Sequence, residues 1–343
     1  ARDRRRRDRR TGVGRTHGDL ERLCGPLGRQ RDLLAPGRKA RSAQGDRMRS
    51  EREVPNRHRG LPAQLIVDEQ LREIHDDLPS GYYRELPKLA EGHLQGYPRV
   101  YGVAWAFVAH TDSRFDPEML RRFVHAYQRV QPLTIGELWA VAITLRVVLV
   151  ENLRRLSERI VHARAARQEA DTLADDLLGL PGRSAEPAAT ALRRLEGAPL
   201  ETSFVVQLVQ RLRDQDPVIM PALRWLDEHL ASQGTTCDEI VRVQHQRQAA
   251  MNVTVRNAIT SMRLMSAFDW AEFFESVSLV DAALWADTAF AAPDFVTRDR
   301  YRHAIEELSR YSQHSELEVA RRAVFHAKRF HGEAQGATDP SAN

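Results

Sequence analysis

The sequence is poor in cysteine: it has only Cys24 and Cys237, far apart and in unlike surroundings. Neither a disulfide framework nor a CxxC metal site can be built from them, and a reducing compartment is expected. A run of eighteen apolar residues is also missing. The most apolar stretch, residues 138–150, contains Arg146 and is too short to span a bilayer. No apolar core follows the opening run of arginines, as a signal peptide would require. Alternating β-branched runs are absent, and turn signals separate helical text rather than hairpins. The sequence contains no Gly-rich phosphate loop, no G-x-S-x-G and no His pair with an acid at helical zinc spacing. These absences exclude the disulfide-stapled, membrane-spanning and β classes. They leave an all-α chain that reads as soluble and cytoplasmic.

The composition that remains is that of a protein with a real core: 42% hydrophobic and 29% charged over 343 residues. The net charge of +4 conceals a split. Residues 1–60 hold 19 Lys+Arg against 8 Asp+Glu, whereas the rest of the chain holds 32 against 39. With no Phe, Trp or Tyr in those first sixty residues, the segment cannot offset its ordering entropy and is expected to be disordered. One functional reading is a polybasic arm for nucleic acid or an anionic membrane. Nucleic acid is disfavoured, because no aromatics are interleaved for base stacking and no base-reading module comes after it. The competing reading is a wrong-frame translation of a GC-rich gene, and Met48 is the first methionine.

The stretch Pro132-Leu133-Thr134-Ile135-Gly136-Glu137 organises the helical text downstream of it. Thr134 stands three residues before Glu137, the spacing of a capping box. Leu138, Val141 or Ala142, Leu145, Leu149, Leu153, Leu156, Ile160 and Ala163 then recur every three or four residues, as one apolar stripe. Arg146, Glu151, Arg154, Arg155, Glu158 and Arg159 are expected on the opposite, exposed face. No Pro or Gly interrupts residues 137–178, so a long helix over 134–178, about 60 Å in length, is expected. Such a rod needs other helices to cover it. An elongated multi-helix bundle is the expected architecture.

The domain reading is a segment at 1–60, a helical region at 61–178, a linker at 179–202 rich in Gly and Pro, a second helical region at 203–331 and a disordered tail at 332–343. In the first helical region, residues 65–78 sketch a short helix. Next come two segments without helical period, Gly81-Tyr82-Tyr83-Arg84-Glu85-Leu86-Pro87 and Gly96-Tyr97-Pro98-Arg99-Val100-Tyr101. Tyr82, Tyr83, Tyr97 and Tyr101 with Arg84, Glu85 and Arg99 can line a carbohydrate or nucleotide-phosphate surface. Equally, the rings can lie half-buried on the long helix while the arginines pair with nearby carboxylates. Asp116-Pro117 marks another helix start. In the second region Ser203 is expected as an N-cap and Gly234 as a stop. Thr236 with Glu239 and Ser315 with Glu318 form further capping boxes, and Trp285 is expected inward.

Candidate catalytic motifs do not accumulate. Asp214-Gln215-Asp216 fits the minimal D-x-D of nucleotide-sugar transferases, yet it stands at a helix end rather than after a strand. Leu223-Arg224-Trp225 lacks the Gln of Q-x-x-R-W, since Pro221 stands in its place. His110 beside Asp112 has no nucleophile next to it, and His245, His326 and His331 fall singly on helices. No catalytic residue and no metal ligand is assigned.

Several segments taken together resemble one family: 81–89 (GYYRELPKL), 96–101 (GYPRVY), 109–156 (through PLTIGELWAVAITLRVVLVENLRRL), 204–216 (FVVQLVQRLRDQD), 235–270, 273–281 (FFESVSLVD) and 299–308 (DRYRHAIEEL). They are similar to the N-terminal region of the bacterial cyclic β-1,2-glucan synthases, over residues 68–330. The resemblance implies a soluble helical portion of a very large inner-membrane glycosyltransferase that uses UDP-glucose and a divalent cation. Both would be bound by modules absent here, so no cofactor is expected in this chain. It further implies a fragment at the cytoplasmic face of the inner membrane. The expected partners are the transferase and membrane modules of the parent synthase. Tyr82, Tyr83, Tyr97 and Tyr101 become candidates for contact with the growing glucan. That family builds its glucan on the protein itself, and none of these tyrosines is assigned as the acceptor. The alternative is a free-standing helical interaction module whose basic arm binds nucleic acid or anionic membrane.

Overall fold

The computed structural model describes residues 63–77, 81–179, 190, 192, 195, 200–213, 220–285, 290 and 292–336. The basic segment 1–60, most of the 179–202 linker, the Asp214-Gln215-Asp216 triplet and residues 337–343 lie outside them. The described chain is all-α. Its helices are α1 Ala63–Asp77, α2 Tyr82–Glu85, α3 Arg99–His110, α4 Pro117–Gln128, α5 Ile135–Leu177, α6 Thr202–Leu212, α7 Met220–Ser232, α8 Cys237–Ser266, α9 Trp270–Val277, α10 Leu279–Leu284, α11 Phe295–Arg310 and α12 Glu316–Gly336. No strand occurs among the described residues.

Local chemistry sets the helix ends. The Thr134 N–H donates to Glu137 Oε2 at 2.9 Å, and the Glu137 N–H donates to Thr134 Oγ1 at 3.1 Å, closing the expected capping box of α5. Ser315 and Glu318 close the same box at α12, through N–H contacts of 2.8 and 3.3 Å. Asp116 accepts from the Met119 N–H at 3.0 Å with Pro117 in the first turn. Gly234 ends α7 in the left-handed region, φ +73°, where a side chain would be strained. The cap of α6 differs from expectation. That helix starts at Thr202, and Ser203 is buried in its first turn, its Oγ accepting from Gln244 Nε2 at 3.1 Å. Helix α12 continues as far as Gly336.

The described residues form two compact units, one ending at Glu151 and resuming at Asn257, the other spanning Asn152–Arg256. In the first, residues 135–149 of α5 are buried on every side. This corrects the expectation of a single stripe. A helix apolar all round belongs inside a core, and residues 138–150 are apolar all round but for Thr144 and Arg146. Arg146 and Glu151, expected at the surface, are only 3% and 6% exposed. Arg146 is tolerated there because Glu73 of α1 lies 3.0 Å from its Nε, in an ionic contact. Gln70 Nε2 donates to the same carboxylate at 3.1 Å and to Ser266 Oγ at 3.0 Å. Trp139 stacks on Phe274 with ring centroids 4.5 Å apart, and Phe295 meets it edge-on. Helix α4 is tied to α9 through Gln128 Nε2, which donates to the Val277 carbonyl at 2.8 Å. Trp285, expected inward, is 45% exposed.

In the second unit the contact face of α5 is alanine: Ala166, Ala170 and Ala174 recur every fourth residue and are buried. Phe204, Leu208 and Leu212 of α6 and Leu226 and Leu230 of α7 pack with them. Small side chains let a neighbouring helix axis approach closely. The stripe read through Ile160 therefore does not continue as the core face, and Ile160 is 40% exposed. Gln207 Nε2 donates to Asp171 at 2.7 Å, and Arg211 pairs with Asp175, fixing α6 along α5.

Candidate functional site

The two tyrosine-rich segments meet. The Leu89 N–H donates to the Tyr97 carbonyl at 2.9 Å, the Gly96 N–H to the Leu89 carbonyl at 2.9 Å, and the Arg99 N–H to the Pro87 carbonyl at 2.7 Å. An isolated antiparallel bridge pairs Lys88 with Pro98. These bonds give an irregular loop the backbone partners it needs and carry Arg99 to the start of α3.

Arg99 then turns inward. Its Nε donates to Glu137 Oε1 at 2.8 Å, a second nitrogen pairs with Glu137 Oε2, and that nitrogen also donates to the Pro132 carbonyl at 2.9 Å. Arg99 is 8% exposed and Glu137 is fully buried. One carboxylate thus closes the α5 capping box and neutralises a buried guanidinium. Burial alone would push the Arg99 guanidinium down, but the hydrogen-bonded Glu137 more than offsets this and holds it above its ordinary value. Tyr127 is pushed up, chiefly by burial.

The tyrosines are tied to the same helix. Tyr82 OH donates to the Gly136 carbonyl at 2.6 Å, and Tyr83 OH lies 2.8 Å from Thr144 Oγ1, itself fully buried. Both rings are half-buried and meet edge-on. Tyr101 is buried, with the half-buried Tyr97 stacked on it at 5.1 Å. Arg84 and Glu85 face solvent, and Glu85 approaches Arg310 at 3.9 Å. Of the seven candidates, the structure brings Tyr82, Tyr83 and Arg99 onto the first turns of α5. What this arrangement does chemically is lock two loops to a buried helix start.

A second ionic centre was not anticipated from sequence. Arg302 of α11 is fully buried with Asp281. Its Nε donates to Asp281 Oδ1 at 3.0 Å, and its second terminal nitrogen contacts Asp281 Oδ2 at 2.5 Å and Glu275 Oε1 at 2.7 Å. Arg298 shares Glu275 at 2.9 and 3.1 Å. The guanidinium lies over Phe274 and Phe295, 5.0 and 4.8 Å from the ring centroids. Burial pushes the Asp281 carboxyl up, and Arg302 opposes that shift. The only available signal was Asp281, an acid set in apolar text, whereas Arg302 stands in the charged run 298–303 and looks like an ordinary surface residue.

The remaining candidates sit apart. His110 is exposed at the end of α3. Asp112 and Ser113 come next with φ of 50° and 62°, a left-handed turn held by Asn257 and Ser261 of α8. Cys237 donates to Asp227 at 3.0 Å, and burial with that carboxylate pushes its thiol up to about 12, the opposite of an activated nucleophile. Among the described residues no three His, Cys, Asp or Glu side chains gather in a group that could hold a metal ion. No helix of the described residues is long and apolar enough to cross a membrane.

Comparison with known proteins decides the affiliation. The chain is 38% identical over 259 residues, 76% of its length, to the cyclic β-(1,2)-glucan synthase NdvB of Rhizobium meliloti. The chain is homologous to part of a cyclic β-(1,2)-glucan synthase. It spans 9% of the length of that synthase. No family model matches the chain. The segments quoted for the glucan-synthase resemblance contain Tyr82, Tyr83, Arg99 and Glu137, and also Asp281 and Arg302. Both buried ionic centres of this structure thus fall in text that resembles the synthases.

Proposed function

We propose that this chain is a non-catalytic helical region, the N-terminal portion, of a membrane cyclic β-1,2-glucan synthase. It acts as a scaffold on which the transferase and membrane modules of the parent protein dock. The observation that carries the reading is the 38% identity over 259 residues to a synthase of which the chain spans 9%. The side-chain chemistry supports it: Tyr82, Tyr83 and Arg99, among the candidates for binding chemistry, direct polar groups to α5. UDP-glucose and its divalent cation are handled by the other modules, at the cytoplasmic face of the inner membrane. Contact with the growing glucan would fall to this same tyrosine-rich region, where Arg84 and Glu85 are exposed and Tyr82, Tyr83 and Tyr97 half-buried.

Co-expression tests the scaffold role. A tagged form of this chain, produced beside a cyclic β-(1,2)-glucan synthase lacking the homologous region, is expected to retain that synthase after detergent extraction of membranes. Failure to retain it, with the tagged chain folded by circular dichroism, overturns the scaffold reading.

A further inference from the structure

The charge of the second unit is segregated. Along α5, residues 152–168 carry Arg154, Arg155, Arg159, Arg164 and Arg167 against the single carboxylate of Glu158. Along α8, residues 240–256 carry Arg242, Arg247 and Arg256 with no acid at all. Beyond that stretch α5 turns acidic, at Glu169, Asp171, Asp175 and Asp176. This concentration stands out in a chain whose residues beyond 60 are acidic on balance. Seven of the eight arginines are exposed, and Arg167 is half-buried. Arg159, Arg164, Arg167, Arg247 and Arg256 make no ion pair among the described residues.

Apolar side chains are interleaved with them. Val161 is 65% exposed and Val253 52%, where aliphatic residues ordinarily seek cover. Val161 stands seven residues after Arg154 and three before Arg164, spacings that share one helix face. On α8, Arg242, His245, Ala249, Val253 and Arg256 succeed one another at intervals of three and four, and all are exposed. A helix face that is arginine-rich with exposed valine suits the boundary between phosphate headgroups and acyl chains. Arginine forks bind phosphate oxygens bidentately, and the valines can enter the apolar margin. Neither stretch contains a Phe, Tyr or Trp on which a nucleic-acid base could stack.

We propose that the exposed arginine- and valine-bearing stretches of α5 and α8 in the second unit dock on an anionic phospholipid bilayer. These stretches are separate from the basic segment 1–60, and the proposal stands whether or not the scaffold role does. The test uses the full chain and vesicles of phosphatidylcholine, either alone or with about 30 mol% phosphatidylglycerol. One variant carries Arg159→Gln, Arg164→Gln, Arg242→Gln, Arg247→Gln and Arg256→Gln. A control of equal charge change carries Arg4→Gln, Arg5→Gln, Arg6→Gln, Arg7→Gln and Arg9→Gln. Partitioning to anionic vesicles is expected to fall at least ~tenfold in the first variant and much less in the control. Val161→Ser with Val253→Ser is expected to weaken binding while leaving its salt dependence in place. Arg159, Arg164, Arg242, Arg247, Arg256, Val161 and Val253 are exposed, so the melting temperatures of the variants at these positions should not move. Equal losses in the variant and the control would overturn the proposal, as would equal binding to neutral vesicles. A single-stranded DNA that binds through these arginines while vesicles do not would also overturn it, assigning the stretches to nucleic acid.

Discussion

Glu137→Ala is expected to destabilise the first unit by ~3–5 kcal/mol, the usual cost of stranding one partner of a buried ion pair. The substitution removes three things at once: the Arg99 counter-charge, the acceptor for the Thr134 N–H, and a side chain with no solvent exposure. Glu137→Gln can still close the capping box but leaves the guanidinium unneutralised, so it should recover only part of the loss. Arg99→Met combined with Glu137→Gln should be milder than either charge-stranding change alone, because no uncompensated charge remains. Urea unfolding monitored by the fluorescence of the chain's five tryptophans, the buried Trp139 among them, reads all three. A loss under ~1 kcal/mol for Glu137→Ala would mean that the pair is solvated like a surface salt bridge.

Arg302→Ala is expected to cost a similar ~3–5 kcal/mol. It strands Asp281 and strips a cation from between Phe274 and Phe295. The penalty should depend on pH, with a sign set by the carboxyl left behind. Burial already raises Asp281, and removing the arginine that opposes the shift raises it further. A carboxyl raised in the folded state favours folding at low pH and loses that advantage as pH rises through its folded pKa. The deficit of Arg302→Ala relative to the unaltered chain should therefore widen between acid and neutral pH. Arg302→Lys keeps the charge but gives up the planar fork and the ring contacts, and is expected to fall between the two. A deficit independent of pH would place the loss in packing alone.

Helix limits were legible because their causes are local. Thr134 with Glu137, Asp116 with Pro117 and Gly234 each act within a turn of the residues they cap. The inward and outward faces of α5 were less legible. Arg146 and Glu151 were read as surface because charge ordinarily prefers water, and the partner that makes Arg146 tolerable, Glu73, lies on another helix. Periodicity also loses meaning where a helix is enclosed, as at residues 135–149. The apolar character of every face there was the sequence signal to heed.

The candidate site was legible as a cluster of residue types, but their connections were not. Glu137 already had a complete local role as a cap, which gave no reason to seek Arg99 as its partner. Tyr82 and Tyr83 carry hydroxyls that suit a sugar as well as a helix carbonyl, and only their distances to Gly136 and Thr144 distinguish the uses. Asp281 and Arg302, 21 residues apart, show no pattern that sequence spacing can report.

The proposed role, a glucan-synthase region without transferase chemistry of its own, is tested with radiolabelled UDP-glucose. The purified chain is incubated with the nucleotide sugar and either Mg²⁺ or Mn²⁺, and label is traced both in free polymer and on the protein. No transfer of label to polymer or protein is the expected result. Glucosyl transfer into polymer, or onto the chain itself, would contradict the account.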